Sequence, residues 1–204
     1  MQTSQWDTPE AVERDLSQRL AAVSDSDTTR GMFFLGVLDA VRFLGGESAV
    51  AGCLAQAGEQ RDFVPMQTYP IGRFLKLAYV AGHQLAAQFG GFEDAMRRIG
   101  TQATLDFLSS MFAREFVAQA GGDPKKLLDL LHSGYRTALS FGERSVEWTG
   151  PRSGRVLMKR SIMPIPYNEG VLRGALEMVG ARDVQITSQA IALDEAVYDT
   201  SWDD

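Results

Sequence analysis

From residue 143 to residue 149 the chain alternates: Val146 and Trp148 fall on one side of an extended backbone, Ser145, Glu147 and Thr149 on the other. That period of two predicts a half-buried strand. Gly150-Pro151-Arg152-Ser153-Gly154 has the composition of a turn, and residues 155–162 offer a return strand, so the pair reads as a hairpin. Two strands alone expose too much apolar surface to be stable. A helix over 167–179 and strands near 184–188 and 196–202 are therefore expected to complete a sheet.

Upstream the period changes to that of helices. Thr8, Pro9 and Glu10 mark a helix start, with a capping hydroxyl, a proline at the first helical position and an acid at the positive end of the dipole. The turn formers Ser24-Asp25-Ser26-Asp27 end that helix near residue 23. Residues 32–44 are almost continuously apolar, which predicts a buried helix; Gly45-Gly46 ends it, and a short small-residue helix follows over 47–57. Residues 60–69 read as a connector to Pro70, which opens a helix whose Ile71, Phe74, Leu75, Ala78, Leu85 and Phe89 share one face. After Gly90-Gly91 one helix is expected from Phe92 to about residue 118, its apolar surface broadening over 105–116, as a doubly covered helix or an oligomer contact would require. Asp123 and Pro124 start a last helix, with Leu127, Leu128, Leu131, Tyr135 and Leu139 facing the core.

The pattern predicts one α+β domain over 1–204. An N-terminal helical layer of roughly five to seven helices (1–140) packs on a C-terminal antiparallel sheet (141–204) of order strand-strand-helix-strand-strand. Hydrophobic residues make up 45% and charged residues 23%, an ordinary globular balance. The net charge of −6 argues against nucleic acid as a partner, since broad attraction to phosphate backbones needs a dense basic face. With Cys53 the single cysteine, no internal disulfide can form, and a reducing compartment is the simplest fit. The polar Gln2, Thr3, Ser4, Gln5 and Asp7 stand where a signal peptide would turn apolar, and no run approaches the roughly 18 apolar residues of a membrane span. A cytoplasmic location is expected.

Several motifs occur in order along almost the whole chain: Thr29-Arg30-Gly31-Met32-Phe33-Phe34, Tyr69-Pro70, Phe92-Glu93-Asp94-Ala95-Met96-Arg97-Arg98-Ile99-Gly100, Tyr135-Arg136-Thr137-Ala138, Gly142-Glu143-Arg144-Ser145-Val146-Glu147-Trp148 and Tyr198-Asp199-Thr200-Ser201-Trp202. In these the chain resembles a paralogous domain family of unknown function from Myxococcus-type bacteria. That family is distantly similar in fold to vinyl-reductase-type ligand domains, small subunits of TRAPP complexes and haem-nitric-oxide-binding domains. The resemblance implies a small-molecule pocket between helices and sheet, or a helical dimer face, and brings no catalytic residue with it. The haem-binding relatives hold propionates with a Tyr-x-Ser-x-Arg pattern, which neither 135–139 nor 198–202 contains. His83 lies beside the apolar face of its helix and His132 at the flank of another, where imidazoles are surface or capping groups, so no cofactor is expected.

Other chemistry finds little support. Two distant histidines lack any zinc-site spacing. Glu143 and Glu147 read as a solvated strand face, Cys53 as a buried small hydrophobe, and the glycine pairs as helix stops rather than a phosphate loop. Arg152, Arg155, Lys159 and Arg160 form the one basic cluster; they protect a sheet edge or bind an acidic protein partner or phosphorylated ligand. Tyr135, Trp148 and Met158 are the candidate ligand contacts, although Trp and Met at alternating positions also serve as core. The expected function is a non-enzymatic sensing or scaffold domain binding a hydrophobic small molecule or a protein partner. A homodimerisation adaptor with a filled core is the alternative, and an enzyme the third reading.

Overall fold

Thr8 and Pro9 begin the first helix as their types predict: the Thr8 hydroxyl accepts from the Ala11 amide at 3.2 Å, and α1 spans Pro9–Ala21. The computed structural model describes Trp6, residues 8–60 and residues 62–203, apart from the side chains of Leu131, His132, Thr137 and Ala138. The expected helices at 32–44 and 47–57 are both present and meet at a break where Gly46 leaves helical geometry (φ 79°, ψ −179°); together they are labelled α2 (Gly31–Ala57). Then come α3 (Ile71–Phe89), α4 (Phe92–Ser109), α5 (Arg114–Ala120) and α6 (Pro124–Ala138), the last capped by the Asp123 carboxylate, which accepts from the Lys125 and Lys126 amides.

Several boundaries differ from expectation. Residues 28–30 and 68–70, read as a helix lead-in and part of a connector, form short strands β1 (Thr28–Arg30) and β2 (Thr68–Pro70) paired antiparallel, with Thr29 opposite Tyr69. Three residues are too few for alternation to register. The helix expected to run to residue 118 stops at Ser109, because Ser110 turns extended and its hydroxyl donates to the Phe107 carbonyl at 2.6 Å. Such local side-chain bonds compete with helix continuation. The turn at 110–113 is what separates α4 from α5.

The sheet follows the expected order. Strands β3 (Glu143–Gly150) and β4 (Ser153–Lys159) form the first hairpin, α7 (Ile165–Met178) crosses, and β5 (Arg182–Ala192) with β6 (Glu195–Asp203) forms the second. All pairs are antiparallel, in spatial order β3-β4-β6-β5. The return strand ends before residue 160 because Arg160 takes φ 49° and sends the chain toward α7. Val156, Met158, Ala196, Tyr198 and Trp202 line the covered face of the sheet and pack on Leu172 and Leu176 of α7. Among the described residues no helix is long and apolar enough to cross a membrane.

The other side of α7 meets α4 almost backbone to backbone. A Cβ added at Gly170 would lie 2.1 Å from the Arg97 carbonyl oxygen, and one at Gly100 would lie 2.2 Å from that of Tyr167. The Thr101 hydroxyl sits between the Arg97 and Gly170 carbonyls at 2.9 and 3.1 Å, and Arg97 Nε pairs with Glu169 at 2.6 Å. Farther along, buried Arg19 of α1 donates to the carbonyls of Ile162 and Leu193 at 3.2 and 2.8 Å, fastening the β4–α7 link and the β5–β6 turn to the helical layer.

Gly170→Ala must push α4 and α7 apart. Overpacking of this kind costs about 1–3 kcal/mol, and the substitution is expected to lower the urea midpoint accordingly, whereas an unchanged midpoint would contradict the close crossing. Asp27 supplies a second test. Its buried carboxylate accepts from the Ser24 amide and hydroxyl, both at 2.9 Å, and pairs with Arg160 at 3.0 Å. Burial opposes its ionisation, but the Ser24 bonds and Arg160 outweigh burial and hold its pKa below the usual aspartate value. A folded pKa below the unfolded one gives stability that is complete above about pH 4 and is lost as pH falls through the folded value. Asp27→Asn is expected to lose about 1–3 kcal/mol at neutral pH and to flatten this acid limb in denaturation curves; a parallel acid limb in the variant would refute the assignment.

Candidate functional site

A cavity of about 340 Å³ opens between the helical layer and α7, the volume range of small-molecule sites. Its walls come from many elements: Phe33 and Gly36 of α2, Phe74 of α3, Ala103 and Phe107 of α4, Phe116 of α5, Tyr135 of α6, Arg144 of β3, and Tyr167 and Val171 of α7. The space exists because small residues face one another where α2 passes α4. A Cβ at Gly36 would lie 3.8 Å from that of Ala103, in ordinary contact with no clash. Aromatic rings brace the walls: Phe33 stacks on Phe107 at 6.3 Å and meets Phe74 edge-on at 6.2 Å, and Phe74 meets Tyr167 at 6.5 Å. Met66 and Phe112 line the cavity while each remains 51% exposed, so it opens to solvent beside them.

A few polar groups interrupt this apolar lining. Asn168 Nδ2 is satisfied, donating to Ser161 Oγ at 3.1 Å, the Met163 carbonyl at 3.3 Å and Tyr198 Oη at 3.1 Å. Arg30 Nη1 donates to the Met66 carbonyl at 2.7 Å. The Arg160 guanidinium pairs with Asp27 and lies 5.4 Å from the centre of the Phe141 ring. Two groups have no hydrogen-bond partner among the described residues: Thr29 Oγ1, on a residue 0% exposed, and Arg144 Nε, both shielded from solvent. The Arg144 Cζ lies over the Tyr135 ring, 3.7 Å from its centre. Burial lowers the Arg144 pKa from its ordinary value and raises that of the Tyr135 phenol.

Of the three expected ligand contacts, Tyr135 lines the cavity. Met158 is buried in the core between sheet and α7, and Trp148 packs edge-on against Trp202 at 6.4 Å with Lys125 Nζ 5.0 Å over its ring. The basic cluster is dispersed: Arg155 pairs with Asp199 at 2.8 Å on the outer face, Arg152 and Lys159 are exposed, and Arg160 turns to the cavity. Glu143 and Glu147 lie on the exposed face of β3. Cys53 is fully buried and donates to Gln84 Oε1 at 2.9 Å, and burial pushes its thiol up to about 11. His83 is exposed and lines a separate cleft; the side chain of His132 lies outside the described residues. Among the described residues no group of three or more His, Cys, Asp or Glu is placed to hold a metal ion.

Sequence reasoning missed Arg144 and Thr29. For Arg144 a signal was present: its position has the same parity as Val146 and Trp148, so a strand that buries those two carries an arginine inward.

The fold is matched by solved structures over most of the chain. An H-NOX protein from S. oneidensis in the Fe(II)NO ligation state superposes with a TM-score of 0.68 at 15% identity, over 86% of this chain and 99% of that one. The Fe(II) unliganded H-NOX protein from K. algicida gives 0.63 at 16% identity, over 86% and 97%. An oxygen-binding H-NOX domain related to soluble guanylate cyclases gives 0.65 at 12% identity, over 86% and 95%. The likeness is one of fold, and it bears out the expected similarity to haem-nitric-oxide-binding domains. A search of the curated proteins by sequence finds no match. The family model described as "Protein of unknown function (DUF2378)" matches residues 22–203, and the chain belongs to that family.

Proposed function

We propose that this chain is a sensing domain whose cavity holds an organic small molecule with an apolar body. The observation that carries the reading is the cavity: about 340 Å³ of aromatic and aliphatic lining, reached from solvent, in a fold whose solved neighbours include ligand-binding H-NOX proteins. An occupant would rest against Phe107 and Phe112, on either side of the point where α4 breaks. Occupancy then biases the 110–113 turn, where Met111 is 77% exposed and available to a downstream partner.

The fold neighbours raise haem as the occupant, and the lining tests it. Haem iron takes an imidazole, thiolate, thioether or phenolate as axial ligand. Among the described lining residues there is neither histidine nor cysteine, and burial pushes the phenols of Tyr135 and Tyr167 up, away from the phenolate form. Met32, Met66 and Met163 offer thioethers without the imidazole that accompanies methionine in the known pairing. Within the described residues, which leave out the side chain of His132 on α6, the lining does not supply the imidazole an iron porphyrin takes, and the reading proposed here is of an iron-free ligand.

Titration with the uncharged fluorophore N-phenyl-1-naphthylamine checks this reading. Wild type is expected to bind it saturably, and the cavity-filling variants Ala103→Phe and Val171→Phe to bind at least about tenfold more weakly at an unchanged far-ultraviolet circular dichroism spectrum. Absence of binding by wild type, or equal binding by both folded variants, would contradict the proposal. Protein expressed with added haem precursor is expected to show no Soret band; a stoichiometric band would overturn the iron-free assignment.

A further inference from the structure

The cavity lining is cationic at selected points. Arg30, Arg144 and Arg160 line it, and among its described residues there is no carboxylate. Two of these charges are committed elsewhere, Arg30 to the Met66 carbonyl and Arg160 to Asp27. Arg144 is different. Its place in the β3 alternation turns it inward, its Nε is shielded from solvent with no acceptor, and no acidic side chain among the described residues pairs with it. A guanidinium keeps its charge inside proteins, so burial does not relieve the site by deprotonation. The face of Tyr135 offsets part of the cost through its ring electrons but accepts no in-plane hydrogen bond. Arg144 is half-buried as a residue, and a shielded guanidinium nitrogen without an acceptor calls for a partner, whether a water, an ion or a ligand head group. Thr29 Oγ1, fully buried on another wall of the same cavity, is a second donor without an acceptor.

We infer that the occupant is an amphipathic acid: an apolar body filling the aromatic cavity, with one carboxylate-class head paired to the Arg144 guanidinium. This rests on the pocket reading above and specifies its chemistry. A carboxylate matches the planar guanidinium fork, whereas a neutral head leaves the charge unmet and an ammonium head repels it. The remainder of the lining is hydrophobic and ranks ligands by apolar surface, so discrimination by head group falls to Arg144.

The test is competition against N-phenyl-1-naphthylamine by three probes of one chain length: dodecanoic acid, dodecan-1-ol and dodecylamine. Wild type is expected to prefer the acid over the alcohol by about tenfold or more, the factor that a hydrogen bond to a charged group supplies, and to bind the amine most weakly. Arg144→Met is expected to lose the preference for the acid, read as the ratio of acid to alcohol affinity with each competition referred to that variant's own affinity for the fluorophore, while Arg144→Lys retains part of it. Arg144→Met is also expected to melt no lower than wild type without ligand, since an unmatched buried charge is gone, and to lose the rise in Tm that dodecanoic acid gives wild type. Should Arg144→Met fail to fold, Arg144→Gln serves in its place. If wild type binds the fluorophore but ranks acid and alcohol equally, or if the acid preference survives in Arg144→Met, this inference is overturned and the apolar pocket stands. If wild type binds neither fluorophore nor any probe, the pocket reading falls with it.

Discussion

The crossing of α4 and α7 sets the distances on which everything else depends. Gly100 faces the Tyr167 carbonyl and Gly170 faces that of Arg97, so the two helix backbones approach as closely as sterics permit. Any side chain at either position would wedge the layers apart. Because α7 also carries Leu172 and Leu176 onto the sheet, this one contact fixes how far the helical layer stands from the strands. Arg97 with Glu169, and Arg19 with the carbonyls of Ile162 and Leu193, hold the same spacing from the rim. A protein with this clamp cannot collapse onto an empty space beside it.

That rigidity explains why the cavity persists in a chain with ample apolar residues. Core packing normally closes such gaps, and a void forfeits the dispersion contacts of its lining. Here Gly36 and Ala103 leave room where a larger pair would fill it, and the surrounding rings are braced against one another. The orphaned Thr29 hydroxyl and Arg144 Nε add an electrostatic cost to the packing cost. One occupant, apolar for most of its surface and acidic at one end, removes both.

Much of the fold was legible because its signals are local. Alternation at 145–149, the Gly-Pro turn signal at 150–154 and the caps at Thr8 and Asp123 each act within a few residues, and the structure has a strand, a hairpin whose turn is tightened to 151–152, and helix starts there. The β1–β2 ribbon was not legible, since its pairing joins three-residue segments separated by the whole of α2. The break of α4 at Ser110 was lost under a run of apolar residues that promised continuation. The site lay further from view. Parity put Trp148 and Met158 on the covered face of the sheet, but which faces enclose the cavity and which press on α7 is decided by helix crossings that no periodicity encodes. Tyr135 and Arg144 meet only because α6 hands the chain to β3 through a short link, and each residue alone looks ordinary.

Native mass spectrometry of the protein purified without detergent, after incubation with a lipid extract, addresses the central claim most directly. A one-to-one complex is predicted, whose released compound is apolar in its bulk and ionises as an acid. A chain that stays ligand-free under these conditions, or one that releases haem or a basic compound, would contradict the account.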